Sequence, residues 1–257
     1  MTAVPIDLSI IIPAYMEAEL IADALATLAD YLNHHDYGNV EVLVVVADSP
    51  DGTIKVAESQ AKLFKHFRVI HAGPRVGKGR DVRLGIYESK GRYKMFMDAD
   101  LATPLHHLED VKALMDRGAK IGIAVRDLLV IHKGIARKIM SETANIAAQI
   151  LVVPGIKDTQ CGFKVFEAEA AKQIFSRMTM LQWSFDMEIL AIARQLHYHI
   201  DFIETPDWKD PKAAGAGLVG DSQINVVLNG FLDPFKMRLG IWTGRYKQPH
   251  YVHKSTY

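Results

Sequence analysis

Leu8-Ser9-Ile10-Ile11-Ile12-Pro13 is the stretch that decides the fold. It is a continuous apolar run closed by a proline, and it reads as a strand buried on both faces, the kind found in parallel sheets. Working outward, Leu20, Ile21, Ala24, Leu25, Leu28 and Leu32 fall on one stripe of a helix spanning Glu17 to Leu32. Val42 to Val46 is a second buried strand. The turn Asp48-Ser49-Pro50-Asp51-Gly52-Thr53 follows it, and its residues start a helix reaching about Lys65. Phe67 to His71 is a third strand, and the glycine-rich loop from Gly73 to Gly79 opens a helix to about Ser89. Tyr93 to Met97 is a fourth strand, Pro104 takes the favoured first position of the next helix, and Lys120 to Val125 is a fifth strand.

Strands that alternate with helices predict an α/β fold with a mostly parallel sheet covered on both faces. Ligands bind such sheets beyond the carboxyl ends of the strands, so the loops leaving Pro13, Asp48, Gly73, Asp98 and Arg126 should converge. The second half is less regular. A long amphipathic helix is expected from Gly134 to Val152, a polar insertion from Asp158 to Lys164, and a strand at Val165-Phe166. A helix from Phe185 to Leu196, a strand from His199 to Ile203 and a mobile Gly/Ala/Lys-rich loop from Lys209 to Gly220 come next. The tail from Gln223 reads as a short helix with a basic and aromatic end.

The bulk numbers suit a soluble protein of one large α/β domain or two small ones. The 257 residues can bury a proper core, and 30 basic residues cancel 30 acidic ones. That balance gives no support to nucleic acid as a partner, because phosphate backbones select basic surfaces. Cys161 is the single cysteine, which excludes an intrachain disulfide and fits a reducing, cytoplasmic setting. The N-terminus has neither a basic stretch nor a long apolar stretch, so no signal peptide is expected. The apolar runs are strand-sized, well short of the roughly 20 residues that span a bilayer. Contact with a membrane surface stays open, as does a homo-oligomer. The basic residues Arg126, Lys133, Arg137 and Lys138 lead into the helix expected from Gly134, and a basic helix with an apolar stripe can lie on a membrane.

Asp98-Ala99-Asp100 is the sharpest chemical signal. On an extended chain alternate side chains share a face, so both carboxylates should point the same way at a strand end. Two adjacent carboxylates repel, and a hard divalent cation, Mg²⁺ or Mn²⁺, resolves that conflict while bridging to a phosphate. Gly73-Pro74-Arg75-Val76-Gly77-Lys78-Gly79 is not a P-loop, since three residues separate Gly73 from Gly77 and no Ser or Thr follows Lys78. Cys161 has no activating base nearby and reads as a small buried hydrophobe. The pairs His34-His35 and His106-His107 read as solvated surface. Asp186 and Glu188 stand two apart on a helix and cannot share a face.

Five segments occur in order: Ile11 to Glu17, Ala47 to Thr53, Gly77-Lys78-Gly79 with Val82-Arg83, Asp98 to Leu101, and Asp158 to Lys164. Together they resemble glycosyltransferase family 2 of the GT-A fold, over roughly residues 7 to 208. The branch they resemble most is that of dolichyl-phosphate β-glucosyltransferases and polyprenol-phosphate mannose synthases. The resemblance implies a GT-A domain over residues 1–220, with a nucleotide-sugar half to about residue 126 and an acceptor half beyond it, followed by a helical and basic-aromatic tail over 221–257. It implies that Pro13, Tyr15 and Glu17 hold base and ribose, that Asp48 contacts the base, and that Lys78 and Ala99 lie by the nucleotide. It places Asp98 near the ribose and metal, and Asp100 on the metal. On the acceptor side it implies Arg126, Arg137, Gln160, Lys209 and Lys212. Three positions depart from the pattern: Met16 where members usually carry Asn, Ala47 where they carry Asp, and Ala216 to Val219 where they carry a Ser-Lys-Leu-like motif.

The implied reaction is an inverting displacement that moves a hexose from a nucleotide-diphosphate sugar, UDP-glucose or GDP-mannose, to a polyprenyl or dolichyl phosphate. A phosphate acceptor is already ionised near neutrality and needs no general base. One alternative is a soluble enzyme acting on a small hydroxyl acceptor, with Asp186 or Glu188 as base. A second is a sugar-nucleotide-binding protein without turnover, with which Met16 and Ala47 would be consistent.

Overall fold

The computed structural model of the chain describes residues 4–126, 152–209 and 223–251, with the backbone alone described over 223–231. Seven strands form one sheet: β1 Leu8–Ala14, β2 Val40–Ala47, β3 Phe67–Gly73, β4 Tyr93–Met97, β5 Ile121–Arg126, β6 Phe163–Glu167 and β7 Asp201–Thr205. Their order is β3-β2-β1-β4-β6-β5-β7. All neighbours run parallel except β6, which lies antiparallel between β4 and β5. The strand opened by Leu8 pairs on both edges, with Val40 to Val46 on one side and Tyr93 to Phe96 on the other. Both of its faces are covered by core, which is why the run is apolar apart from Ser9, whose hydroxyl is buried on Glu41.

The alternation of side chains instead sorts the run between two cores. Ile11, Leu43, Val45 and Phe96 face one layer, with α3 Lys78–Glu88, α5 Ala168–Phe175 and α6 Phe185–Gln195. Ile10, Ile12, Val42, Val44 and Met95 face the other, with α1 Ile21–His34 and α4 Leu108–Asp116. Each such fully buried aliphatic side chain contributes about 1.5–3 kcal/mol. α2 Thr53–Ser59 and α7 Gln223–Trp242 complete the helices of the described residues.

Several expectations shift. The helix after Thr53 ends at Ser59 and gives way to a 3-10 turn over Ala61–Leu63. Pro104 sits outside its helix, in an extended conformation (φ −58°, ψ 142°), and a 3-10 turn over Leu105–His107 precedes α4. The helix of the tail is 20 residues long rather than short, and it carries Pro234 inside it. It closes on the body, with Tyr246 buried and His250 N–H bonded to Ser176 O at 2.7 Å. The helix expected over Gly134 to Val152 and the loop over Lys209 to Gly220 fall almost wholly outside the described residues. β6 and β7 belong to the same sheet as β1–β5, so both halves of the chain share one scaffold.

Candidate active site

The carboxyl ends of β1 and β4 and the start of α3 bring three acidic side chains, Glu17, Asp98 and Asp100, and one basic one, Lys78, to one place. β4 ends at Met97, and Asp98 to Leu101 turn away from the sheet, with Leu101 at φ 50°. The two aspartates therefore meet through a turn and not through strand alternation as expected. Ala102 N–H bonds Asp100 Oδ1 at 3.0 Å and fixes that turn. Lys78, the first residue of α3, reaches across to place its Nζ 2.5 Å from Asp98 Oδ1. Burial works against the Lys78 charge, but Asp98 and Asp186 hold its pKa above the usual range.

Burial raises the Asp100 carboxyl, and the charge of Asp98 adds to it. Glu17 is raised to about 7, first by burial and then by Asp100, Asp98 and Asp51. Three carboxylates are thus held closer than their charges favour, with one cation among them. Hard oxygen donors under mutual repulsion could hold a hard divalent ion, and with Asp98 already engaged by Lys78, Asp100 is the freer of the two carboxylates to do so.

The loops around this cluster are stapled together. Asp51 accepts from Ala18 N–H at 3.0 Å, from Thr53 N–H at 3.1 Å and from the Ser49 and Thr53 hydroxyls at 2.7 Å. Burial opposes its charge, yet these donors hold its pKa down to about 2. Ser49 Oγ accepts from Met16 N–H at 2.8 Å, and Thr53 Oγ1 from Glu17 N–H at 3.0 Å. Met16 is thereby held at φ 59°, a region unfavourable to side chains with a Cβ. The guanidinium of Arg75 covers the Tyr15 ring, 4.3 Å from its centroid. Pro13 is half-buried at the end of β1, Ala99 is buried, and Asp48 is exposed with its N–H on Gly73 O at 2.9 Å.

The opposite wall comes from the run-in to β6. Gly162 O accepts from Asp98 N–H at 3.1 Å. A Cβ on Gly162 would stand 2.1 Å from Asp98 Oδ2, so only glycine fits there. Arg126 grips Asp158 in a fork, Nε to Oδ2 at 2.6 Å and Nη2 to Oδ1 at 2.9 Å, while its N–H bonds the same carboxylate at 3.1 Å. Burial opposes both charges, but the pairing raises Arg126 and lowers Asp158. Trp208 lies over the Arg126 guanidinium at 5.0 Å and, with Leu101, lines a small cleft beside Asp98.

A cation-held acidic cluster thus lies at the carboxyl edge of this sheet. Residues 9–175 match the model of the family described as glycosyl transferase family 2. The chain belongs to that family. It is 31% identical to a dolichyl-phosphate beta-glucosyltransferase of Dictyostelium discoideum, over 93% of this chain and 78% of that one. It is 30% identical to the enzyme of the same description from Saccharomyces cerevisiae, over 84% and 70%. Among solved structures it is similar to glucosyl-3-phosphoglycerate synthase from Mycobacterium tuberculosis in complex with Mn²⁺, UDP-glucose and phosphoglyceric acid. That likeness has a TM-score of 0.64 at 17% identity, covers 91% of this chain and 80% of that one, and speaks for the fold. The chain is a family 2 glycosyltransferase with the GT-A architecture.

For a family 2 enzyme the structure brings Glu17, Lys78, Asp98 and Asp100 together and sets Arg126 on the adjoining wall. Gln160 is exposed, with its N–H on Asp158 Oδ1 at 3.0 Å, and Lys209 is exposed, with its N–H on Ala102 O at 2.8 Å. Arg137 and Lys212 lie outside the described residues. Asp186 and Glu188 do part to different faces of α6, but both are buried. Asp186 pairs with the fully buried Lys164 at 2.5 Å. Glu188 accepts from Thr179 N–H and Oγ1, Met180 N–H and Tyr246 Oη at 2.6–3.0 Å. Cys161 is buried as expected, and burial pushes its thiol up to about 11.

His107 corrects the surface reading: it is buried, with Nδ1 2.9 Å from Asp110 Oδ2 and Nε2 2.8 Å from Asp207 Oδ1. Burial opposes its charge, but these two carboxylates raise its pKa. Trp208, Gly162 and Lys164 gave no separate signal as site residues, although a lysine within an apolar strand run is itself a hint of a buried counter-ion.

Proposed function

We propose that the chain moves glucose from UDP-glucose to a polyprenyl phosphate of the dolichyl type, with inversion at the anomeric carbon and with Mg²⁺ or Mn²⁺. The observation that carries this is the convergence of Glu17, Asp98 and Asp100 around Lys78 at the carboxyl edge of the sheet. The names of the relatives at about 30% identity, dolichyl-phosphate beta-glucosyltransferases, support the sugar and the acceptor. The Mn²⁺ and UDP-glucose of the mycobacterial structure support the ion and the nucleotide.

In this reading Asp100, with Asp98 beside it, holds the divalent ion, which when bound neutralises the departing diphosphate and acts as a Lewis acid. Lys78 opens α3, so the diphosphate meets an ammonium and a helix N-terminus at one point. Pro13, Tyr15, Glu17 and Asp48 line the nucleoside end. Arg126, locked on Asp158 and covered by Trp208, presents a fixed cation to the acceptor phosphate.

The buried states of Asp186 and Glu188 support a base-free attack. A hydroxyl acceptor would need a carboxylate free to take a proton, and both are engaged in the interior. A phosphate monoester attacks as the anion it already is.

The acceptor's chemistry asks for a lipid surface, and α7 offers one. Leu232, Phe235, Leu239 and Trp242 are exposed along one stripe of that helix, Trp242 at 72%. Lys236, Arg238, Arg245 and Lys247 surround the stripe, and Arg238 lies 5.1 Å from the Trp242 ring. Peripheral attachment fits this, since no helix of the described residues is long and apolar enough to cross a membrane.

The test is transfer from radiolabelled UDP-glucose or GDP-mannose to a short polyprenyl phosphate, with Mn²⁺ or with EDTA. Label entering the organic phase from UDP-glucose alone, abolished by EDTA, is the expected result. Label on a soluble hydroxyl acceptor, with none on the lipid, would overturn the reading.

A further inference from the structure

A second cluster of ligating side chains lies away from the acidic site. His106 and His107 close the 3-10 turn before α4, and Asp207 enters from the turn after β7, a hundred residues later in the chain. His107 Nε2 is 2.8 Å from Asp207 Oδ1, and His106 Nε2 is 3.2 Å from Asp207 Oδ2. One nitrogen from each ring and one carboxylate oxygen all fall within 4.8 Å of one another. Behind them, Asp110 Oδ2 takes the other ring nitrogen of His107 at 2.9 Å.

We propose that His106, His107 and Asp207 form a site for a borderline divalent ion of the zinc type, distinct from the hard-cation site at Asp100. Two imidazoles and a carboxylate are a usual three-ligand set for zinc, with a water in the fourth position. Ligands held tetrahedrally at about 2.1 Å from a common ion stand roughly 3.4 Å apart. The observed 2.8 and 3.2 Å contacts run to the two different oxygens of Asp207, and one of those oxygens with the two ring nitrogens, all within 4.8 Å of one another, reaches the tetrahedral spacing by side-chain rotation. Asp110 on the far nitrogen of His107 is the outer carboxylate that orients a ligating imidazole and strengthens it as a donor.

The chemistry separates the two sites. Nitrogen donors favour zinc over magnesium and manganese, while the all-oxygen set at Asp100 suits the hard ions. The placement gives the ion a task. Asp207 precedes Trp208, which lies over Arg126, and Lys209, whose N–H bonds Ala102 O. An ion bridging Asp207 to His106 and His107 fastens the turn that carries Trp208 to the segment that follows Asp100.

The experiment titrates the tag-free full chain, stripped with EDTA, with Zn²⁺ in the presence of excess Mg²⁺, by calorimetry, and records the visible spectrum with Co²⁺. We expect one equivalent of Zn²⁺ and the intense bands of a four-coordinate Co²⁺ site. Both should be lost in His106→Ala and in Asp207→Asn, while Mn²⁺-dependent binding of UDP persists. The His106 side chain is 59% exposed, so His106→Ala keeps the fold, and its metal-free melting temperature checks this. No zinc uptake by the wild type, weak six-coordinate Co²⁺ bands, or uptake unchanged in both variants would each overturn the proposal.

Discussion

Gly162 and Asp98 are in contact through the one position of Gly162 where any other residue would place an atom: a Cβ there would lie 2.1 Å from Oδ2 and 2.6 Å from Oδ1. The carboxylate is thus seated between Lys78 Nζ and a bare backbone. Gly162→Ala should displace Asp98 from Lys78 and lower kcat/KM for the sugar nucleotide by tenfold or more, on the scale of about 1.5–3 kcal/mol for a charged hydrogen bond. Steady-state kinetics beside a melting curve checks this, because the loss should exceed any change in stability.

Glu17 sets a pH dependence in the metal-free protein. Its pKa is raised in the fold to about 7 from 4.5, so the folded chain binds this proton more tightly than the unfolded chain does. That contribution favours the fold below about pH 4.5, and it is lost as pH rises through about 7. Glu17→Gln removes the dependence. Urea midpoints measured in EDTA should show the variant gaining on the wild type between pH 4.5 and 7, then holding a constant lead. Parallel curves would refute the assignment.

Lys164 and Asp186 form a buried ion pair, with side chains 0% and 4% exposed. Asp186→Asn leaves the ammonium buried and uncompensated, so stability should fall by about 3–5 kcal/mol. Adding Lys164→Met and replacing Asp186 by Leu should recover most of that loss. Protein that stays folded should keep UDP binding, which separates a structural carboxylate from a catalytic one.

Met16 is held at φ 59° by its own N–H on Ser49 Oγ and by that of Glu17 on Thr53 Oγ1. Met16→Asn should stabilise the chain by about 1 kcal/mol because Asn tolerates this region better. The urea midpoint should rise with no change in slope.

The stripe on α7 predicts flotation with vesicles containing anionic lipid. Leu239→Glu or Trp242→Glu should remove most of it, and raised salt should weaken the remainder by screening the basic residues.

The strands of the first half were legible because residues buried on both faces must be apolar throughout, and Tyr93 to Met97 was bounded as found. The acidic pair was legible because Asp98 and Asp100 interrupt a buried run, although it read as strand alternation and the chain turns there instead. What sequence order could not show was closeness across the fold. His107 looked exposed because its partner Asp207 is a hundred residues away, and Asp186 looked available because Lys164 lies on a strand and Asp186 on a helix packed against it. Helix α5 passed unread between two clearer signals, and Trp208 carried no motif.

The reversed direction of β6 has a consequence for how such enzymes diversify. A parallel strand would deliver its exit loop to the reaction centre, but β6 delivers its entry. Residues before Phe163 therefore shape the cavity, while those after Glu167 descend to the far side of the molecule. Replacements or added residues ahead of this strand remodel the cavity without touching the far side, and through Gly162, which abuts Asp98, they reach the acidic cluster as well.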